Sequence, residues 1–258
     1  MKLVKVVFFV FACALLTVIG YSGYQLWGIN QIDVQEAEMH SRLMPYRPMM
    51  SLSMPAEPTS APNPGAVPSA PRVNQSIVEM QDAYPDAIGW LTVPNTKIDY
   101  PFAQGGDNAH YLHLDLDQQW AAAGTIFMDF RNSQDFSDFN TILFGHHMRN
   151  GSMFGTLQAF NNQAFFEENQ TGTIFLADQT YAIEFIAFAV IEPNDAVIYD
   201  PMVTTGADRA AFLDHVKNIA RYYRDVDATA SDRFVTLSTC NYEFYDARMV
   251  LIGKLVEV

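Results

Sequence analysis

The sequence predicts a mainly β domain, a barrel or sandwich with a few peripheral helices, behind one apolar N-terminal helix. Three observations predict this. Short runs rich in β-branched and aromatic residues recur from Trp90 to Val258, with only two helical patterns among them. The first 27 residues are apolar almost throughout. Between these regions, Pro45 to Pro71 holds eight of the thirteen prolines, in company with Ser, Ala and Thr, and cannot build a core.

Taken in order, Lys2 and Lys5 precede an apolar run from Val6 through Ile19 that continues to Leu26 and Trp27. As a helix, Leu3 to Leu26 would rise about 36 Å, enough to cross a bilayer. Lysines before the run, with Asp33 and Glu36 after it, place the N-terminus in the cytoplasm and the rest outside. A cleaved signal peptide is the rival, with Gly20 and Ser22 near a possible cut. The apolar length continues past those residues and favours an uncleaved anchor. Residues 28 to about 44 can continue as a short helix, and residues 28–72 as a whole read as an extracytoplasmic stalk, up to about 80 Å long if the Pro-rich part is extended.

The folded domain is expected over 73–258. Ile77, Met80, Ala83 and Tyr84 fall at helical spacing, with Pro85 closing the helix. Strands are expected at 97–103, 125–130, 141–144, 173–176 and 181–191. Met153–Phe160 reads as a short helix. Ala207 to Tyr223 reads as a long one, with Phe212, Val216, Ile219 and Tyr223 on one face. His110 and His113 flank a further short helical turn.

The chain ends in two strands. In Phe234-Val-Thr-Leu-Ser-Thr-Cys240, period two separates Phe234, Thr236, Ser238 and Cys240 from Val235, Leu237 and Thr239. Arg248 to Val258 reads as the return strand of an antiparallel pair, which brings Arg248 back beside Cys240. The chain has two cysteines, and Cys13 lies in the apolar N-terminal run. A leftover Cys240 in an exported domain is a reactive thiol, one half of an intermolecular bridge, or a small buried hydrophobe. The charge narrows the partners. Residues 1–72 carry five Lys/Arg against four Asp/Glu, and residues 73–258 carry ten against twenty-five. So acidic a domain argues against nucleic acid. Among six histidines, His146 stands where a strand leaves the sheet. His110 and His113 with Asp107 or Asp115 form no compact metal-ligand set.

Several segments together resemble a known family. Thr236-Leu-Ser-Thr-Cys240 is similar to the TLxTC motif of sortases, with Arg248 at the family's arginine position. Phe144-Gly-His-His-Met-Arg-Asn-Gly-Ser-Met-Phe154 resembles the corresponding segment of class B sortases. So do Ile88–Pro101, Gln104–Leu112 and Gly124–Asn132. The resemblance runs in sequential order from about Tyr84 to Val258. It implies a distorted eight-stranded β-barrel with N-terminal helices, and transpeptidation at the C-terminal sorting signal of an exported protein. It also implies Cys240 as nucleophile, His146 as acid/base and Arg248 as third member. Asn108, Leu112, Ser238 and Tyr199 fall at positions that meet the sorting peptide. Asn241 departs from the acidic residue that some relatives carry after the cysteine.

The implied chemistry needs no metal or organic cofactor. It forms a thioester at a Pro-x-Thr type motif and resolves it on a peptidoglycan amine. A pilin-joining enzyme and a sorting-signal hydrolase are alternatives with the same site. A membrane-anchored barrel that only binds peptide or glycan is the alternative without catalysis.

Overall fold

The computed structural model describes residues 2–49, 73–240 and 247–258. The greater part of the Pro-rich segment, and the turn after Cys240 with Asn241, lie outside the described residues. Among these residues nine strands form one sheet: β1 (Ala87–Thr92), β2 (Asp99–Ala103), β3 (Ile126–Met128), β4 (Asn140–His146), β5 (Thr171–Phe175), β6 (Thr180–Ile191), β7 (Tyr222–Tyr223), β8 (Arg233–Cys240) and β9 (Arg248–Glu257). Their order is β5-β1-β2-β3-β4-β8-β9-β6, and β5 also pairs with β6, so eight strands close into a barrel. The two-residue β7 lies outside the ring, along β6. Closure leaves the eight strands no long open edge. Two neighbouring pairs, β2–β3 and β4–β8, are parallel, and the latter carries the site.

Alternation along the strands builds two cores, one on each face of the β4–β8–β9–β6 sheet. Leu143, Val235, Leu237 and Leu251 face the barrel interior with Trp90, Phe102 and Phe185. Phe234, Val250, Ile252 and Ile186 face outward into a second cluster with Phe139, Ile198, Phe212 and Val216. That outer cluster is roofed by α4 (Gly206–Ile219) and the 192–205 loop before it. Burying Phe212 and Val216 stabilises this roof by about 1.5–3 kcal/mol each. Thr205 caps α4, accepting from the Asp208 N–H. The helix expected over 207–223 stops at Ile219. Beyond it the Arg221 and Arg224 N–H groups donate to the Phe188 and Ile186 carbonyls, and Tyr222-Tyr223 becomes β7. The short helix expected at 153–160 is a 3₁₀ segment, Gly155–Asn161, followed by an unforeseen short helix α3 (Gln163–Glu168).

The N-terminal helix α1 (Lys2–Leu43) is continuous, so the segment 28–44 is its last third. That third lies on the barrel. Glu36, Met39 and Leu43 are buried, Glu36 accepts from the Tyr100 hydroxyl at 2.8 Å, and Arg47 pairs with Asp99. Burial, and then the Glu36 carboxylate, pushes the Tyr100 phenol above its ordinary value, so Tyr100 remains the donor. The 3₁₀ turn Met44–Tyr46 follows, and Tyr46 meets Tyr84 edge to face beside α2 (Gln75–Ala83). The packed body therefore includes residues on both sides of the Pro-rich segment. A chain begun at Val73 loses the Met39 and Leu43 burial and leaves Tyr100 without Glu36. Its expected Tm is roughly 5–15 °C below that of a chain begun at Gly28. Scanning calorimetry on the two checks this, and equal Tm values would contradict it.

Candidate active site

The site forms where β4 and β8 end side by side. Their parallel register sets Phe144 against Ser238 and His146 against Cys240, one strand spacing (about 4.8 Å) apart. On the other side of β8, β9 runs antiparallel with Ser238 opposite Val250. Continued two residues, that register sets Arg248 across from Cys240. The Met249 N–H donates to Thr239 Oγ1 at 3.1 Å, which holds the strands together up to this point. Three adjacent strands thus deliver a histidine, a cysteine and an arginine to one sheet end. All three positions belong to the outward row that carries Phe234 and Val250 further down.

Arg248 lines a groove of about 270 Å³ with Asn108, Leu112, Tyr199, Phe144 and Asp129. Asp129 is the anchor of one wall. Its side chain is fully buried and bound by Arg131 at 2.8 and 2.7 Å and by the Asn108 amide at 3.0 Å. Burial raises its pKa, but the side chain and N–H of Arg131, with Asn108, outweigh that and hold it below the usual carboxylate range. Asn108 in turn accepts from the Phe130 N–H, so the amide is fixed from both ends. Arg131 also donates to the Tyr199 carbonyl, tying this wall to the loop before α4.

Tyr199 forms the opposite wall. Its ring stacks on Phe144, and its hydroxyl lies 2.9 Å from that of the buried Ser238. Ser238 therefore supports the groove from below and does not line it. Tyr199→Phe keeps the stack but deprives the buried Ser238 of this partner, an expected loss of about 1–2 kcal/mol. Urea unfolding measures it, and an unchanged midpoint would contradict it. The same loop is held at its root by Asp195, which pairs with His215 at 2.8 Å and caps the Val197 and Ile198 N–H groups. His215, on α4, is half-buried in this pairing.

His146 is held from the other side. Its Nε2 lies 2.7 Å from the Leu112 carbonyl, and its ring stacks on His113 at 5.6 Å. Gly145 before it lets the Phe154 ring lie close, since a Cβ there would come within 2.8 Å of that ring. His147 turns away to Gln158, and His110 binds Gln118. The expected residues thus converge, with Ser238 one layer below.

Asp129, Arg131 and Phe144 were not expected at the site, although all three stand inside the segments that carried the resemblance. Asp129 and Arg131 look in sequence like a solvated ion pair. Only the fold shows that the carboxylate is buried. A larger cavity of about 550 Å³ lies elsewhere, between Met39 and Arg42 of α1 and the 115–123 loop, and contains none of the expected site residues. The smaller groove is the chemically equipped one: a guanidinium and an amide line it, and so do Phe144 and Thr239, on the strands whose ends carry His146 and Cys240. Such a set can form a thiolate, donate a proton to a leaving amine and stabilise an oxyanion.

The family model described as "Sortase domain" matches residues 91–256. Sortase B of Listeria monocytogenes is 37% identical over 187 residues, covering 71% of this chain and 75% of that protein. Sortase B of Staphylococcus aureus is 33% identical over 176 residues, covering 67% and 71%. Among solved structures, a Staphylococcus aureus sortase B–substrate complex superposes with a TM-score of 0.69 at 30% identity, covering 72% of this chain and 87% of that one.

Proposed function

The chain belongs to the sortase family as a class B cysteine transpeptidase, and on that premise we propose that it joins exported proteins to the cell wall. Its substrates carry a C-terminal sorting signal of the Pro-x-Thr type, and the acceptor is a peptidoglycan amine. The observation that carries the reading is the parallel pairing of His146 with Cys240, beside Arg248 in the groove.

The steps follow from the side chains. The Cys240 thiolate attacks the threonine carbonyl and gives a tetrahedral oxyanion. The planar guanidinium of Arg248 stabilises that oxyanion or holds the peptide carbonyls. Protonated His146 gives its proton to the departing amine, the C–N bond breaks, and a thioester remains on Cys240. An incoming amine attacks the thioester, His146 takes up a proton, and the new amide leaves with the thiolate restored. Asn108, Leu112 and Tyr199 supply the peptide-facing surface. The fixed amide of Asn108 offers it a hydrogen bond.

Membrane attachment fits the same reading. The apolar stretch of α1 has a mean hydropathy of 1.9 over its most apolar window, none of which is buried against the barrel. We assign it as a single-pass anchor with a cytoplasmic N-terminus. Because α1 continues without a break onto the barrel, the helix itself would hold the site near the bilayer, where substrate emerges. This shortens the tether expected from the Pro-rich segment alone.

The test is mass spectrometry of the full chain in detergent with Pro-x-Thr peptides and a small amine. The expected product is peptide cleaved after threonine and joined to the amine, absent with Cys240→Ala. Cleavage without amine incorporation would favour the hydrolase. No cleavage of any sorting peptide would favour the binding barrel.

A further inference from the structure

His146 has two ring nitrogens, and the structure distinguishes them. We propose that the main-chain carbonyl of Leu112, with the ring of His113, fixes His146 in the tautomer protonated on Nε2, so that Nδ1 is the nitrogen that exchanges the catalytic proton. The proposal rests on the reading of His146 as acid/base.

The first ground is the chemistry of the partner. Nε2 lies 2.7 Å from the Leu112 carbonyl oxygen. A carbonyl only accepts, so the hydrogen between them belongs to Nε2 in the neutral ring as well as in the cation. A neutral imidazole has one N–H, and its lone pair is then on Nδ1.

The second ground is that this carbonyl is immobilised. It closes a 3₁₀ turn (His110–Leu112) whose central Tyr111 is buried and donates to Asp86 at 2.6 Å. The Thr125 N–H holds the Tyr111 carbonyl at 3.0 Å. Gly124 lies against the turn at φ +58°, where a Cβ would come within 2.4 Å of the Leu112 oxygen. The chain therefore passes behind the carbonyl at a distance only glycine allows, in a conformation that favours glycine.

The third ground is His113. Its exposed ring lies nearly parallel to that of His146, at an interplanar angle of 26°, while its own carbonyl accepts from the Ala121 N–H. A flat ring on this face opposes the χ2 rotation that would swing Nε2 away from the Leu112 carbonyl and put a ring carbon in its place.

Proton accounting is then simple. The thiol proton passes to Nδ1, giving thiolate and imidazolium. Nδ1 delivers it to the leaving amine and later accepts one from the incoming amine. The Nε2 proton stays with the Leu112 carbonyl throughout. Leu112 and His113 are positioning residues in this scheme.

The experiment is long-range ¹H–¹⁵N correlation NMR on the full chain in detergent, with only histidine ¹⁵N-labelled, at a pH where the ring is neutral. The His146 pattern is assigned by its loss in His146→Gln. The expected pattern is Nε2–H. Gly124→Ala, which displaces the carbonyl, should shift it toward a mixture and lower kcat about ten- to hundredfold with a much smaller change in KM. His113→Ala should lower kcat, and His113→Phe, which restores a flat ring, should recover most of it. If Gly124→Ala does not fold, the wild-type spectrum and the His113 pair decide. A wild-type pattern of Nδ1–H, or an even mixture, would overturn the proposal. Nδ1–H with turnover lost in His146→Gln would sink the tautomer assignment and keep the acid/base role. Nε2–H with full turnover in His146→Gln would sink the role itself.

Discussion

Replacing Cys240 or His146 by alanine is expected to lower amine-dependent transfer by about a thousandfold or more, with the double variant little worse than either single one. The non-additivity follows from the two acting as a unit. Without the thiol no thioester forms. Without the imidazole the leaving amine departs unprotonated and the thiol loses its proton acceptor. Their strands put them in one register pair at the ends of β4 and β8, and His146 belongs to neither hydrophobic cluster. The Tm of His146→Ala should therefore stay within a few degrees of wild type while single-turnover rates collapse. Additive losses would mean that the two side chains serve separate steps.

Arg248 should be next in effect, and lysine should not replace it. Arg248 lies at the start of β9, opposite Ile191 of β6, on the rim of the groove. A planar guanidinium can hold an oxyanion and a neighbouring carbonyl together, whereas an ammonium presents a single point of charge. Arg248→Ala is expected to reduce kcat about 10²–10³-fold, as removal of an oxyanion donor does elsewhere. Arg248→Lys should recover at most about a tenth of the wild-type rate. A loss confined to KM would assign Arg248 to peptide binding alone. Full activity of the lysine variant would show that only charge matters at this position.

How much of this was legible in the sequence depended on whether the signal was local. The β8–β9 pair could be read because Val235, Leu237 and Thr239 alternate with Phe234, Thr236 and Ser238, and only seven residues separate the two strands in sequence. The pairing of β1 with β5, which together with the local β5–β6 hairpin closes the barrel, and the parallel pairing of β4 with β8 join residues 81 to 94 positions apart. No local pattern encodes that choice. Tyr223 continues the apolar stripe of α4 at i+4 from Ile219, so the periodicity ran on past the true end, where pairing with β6 takes over. Met39 and Leu43 are also spaced i, i+4, but they follow so long an apolar run that their role as a docking face was hidden.

At the site, Cys240, His146 and Arg248 were expected from motif order, as were Asn108 and Leu112, and Tyr199 from its place in the loop before the late helix. Asp129 and Arg131 were not, because an acid and a base two positions apart carry no sequence mark of burial. The Leu112 carbonyl and the His113 ring were beyond reach for a similar reason. Main-chain groups have no residue code, and a stack between positions 113 and 146 exists only once the barrel has closed.

The central claim is that Cys240 carries the acyl group between donor and acceptor. Its most direct test is intact-protein mass spectrometry of the full chain mixed with a Pro-x-Thr peptide and no amine, quenched rapidly in acid. The account predicts a mass increase equal to the acyl fragment ending in threonine. That increase should map to the peptide containing Cys240, discharge on addition of a small amine and be absent from Cys240→Ala. Amine-joined product appearing with no acyl adduct at Cys240, or appearing equally in Cys240→Ala, would contradict it.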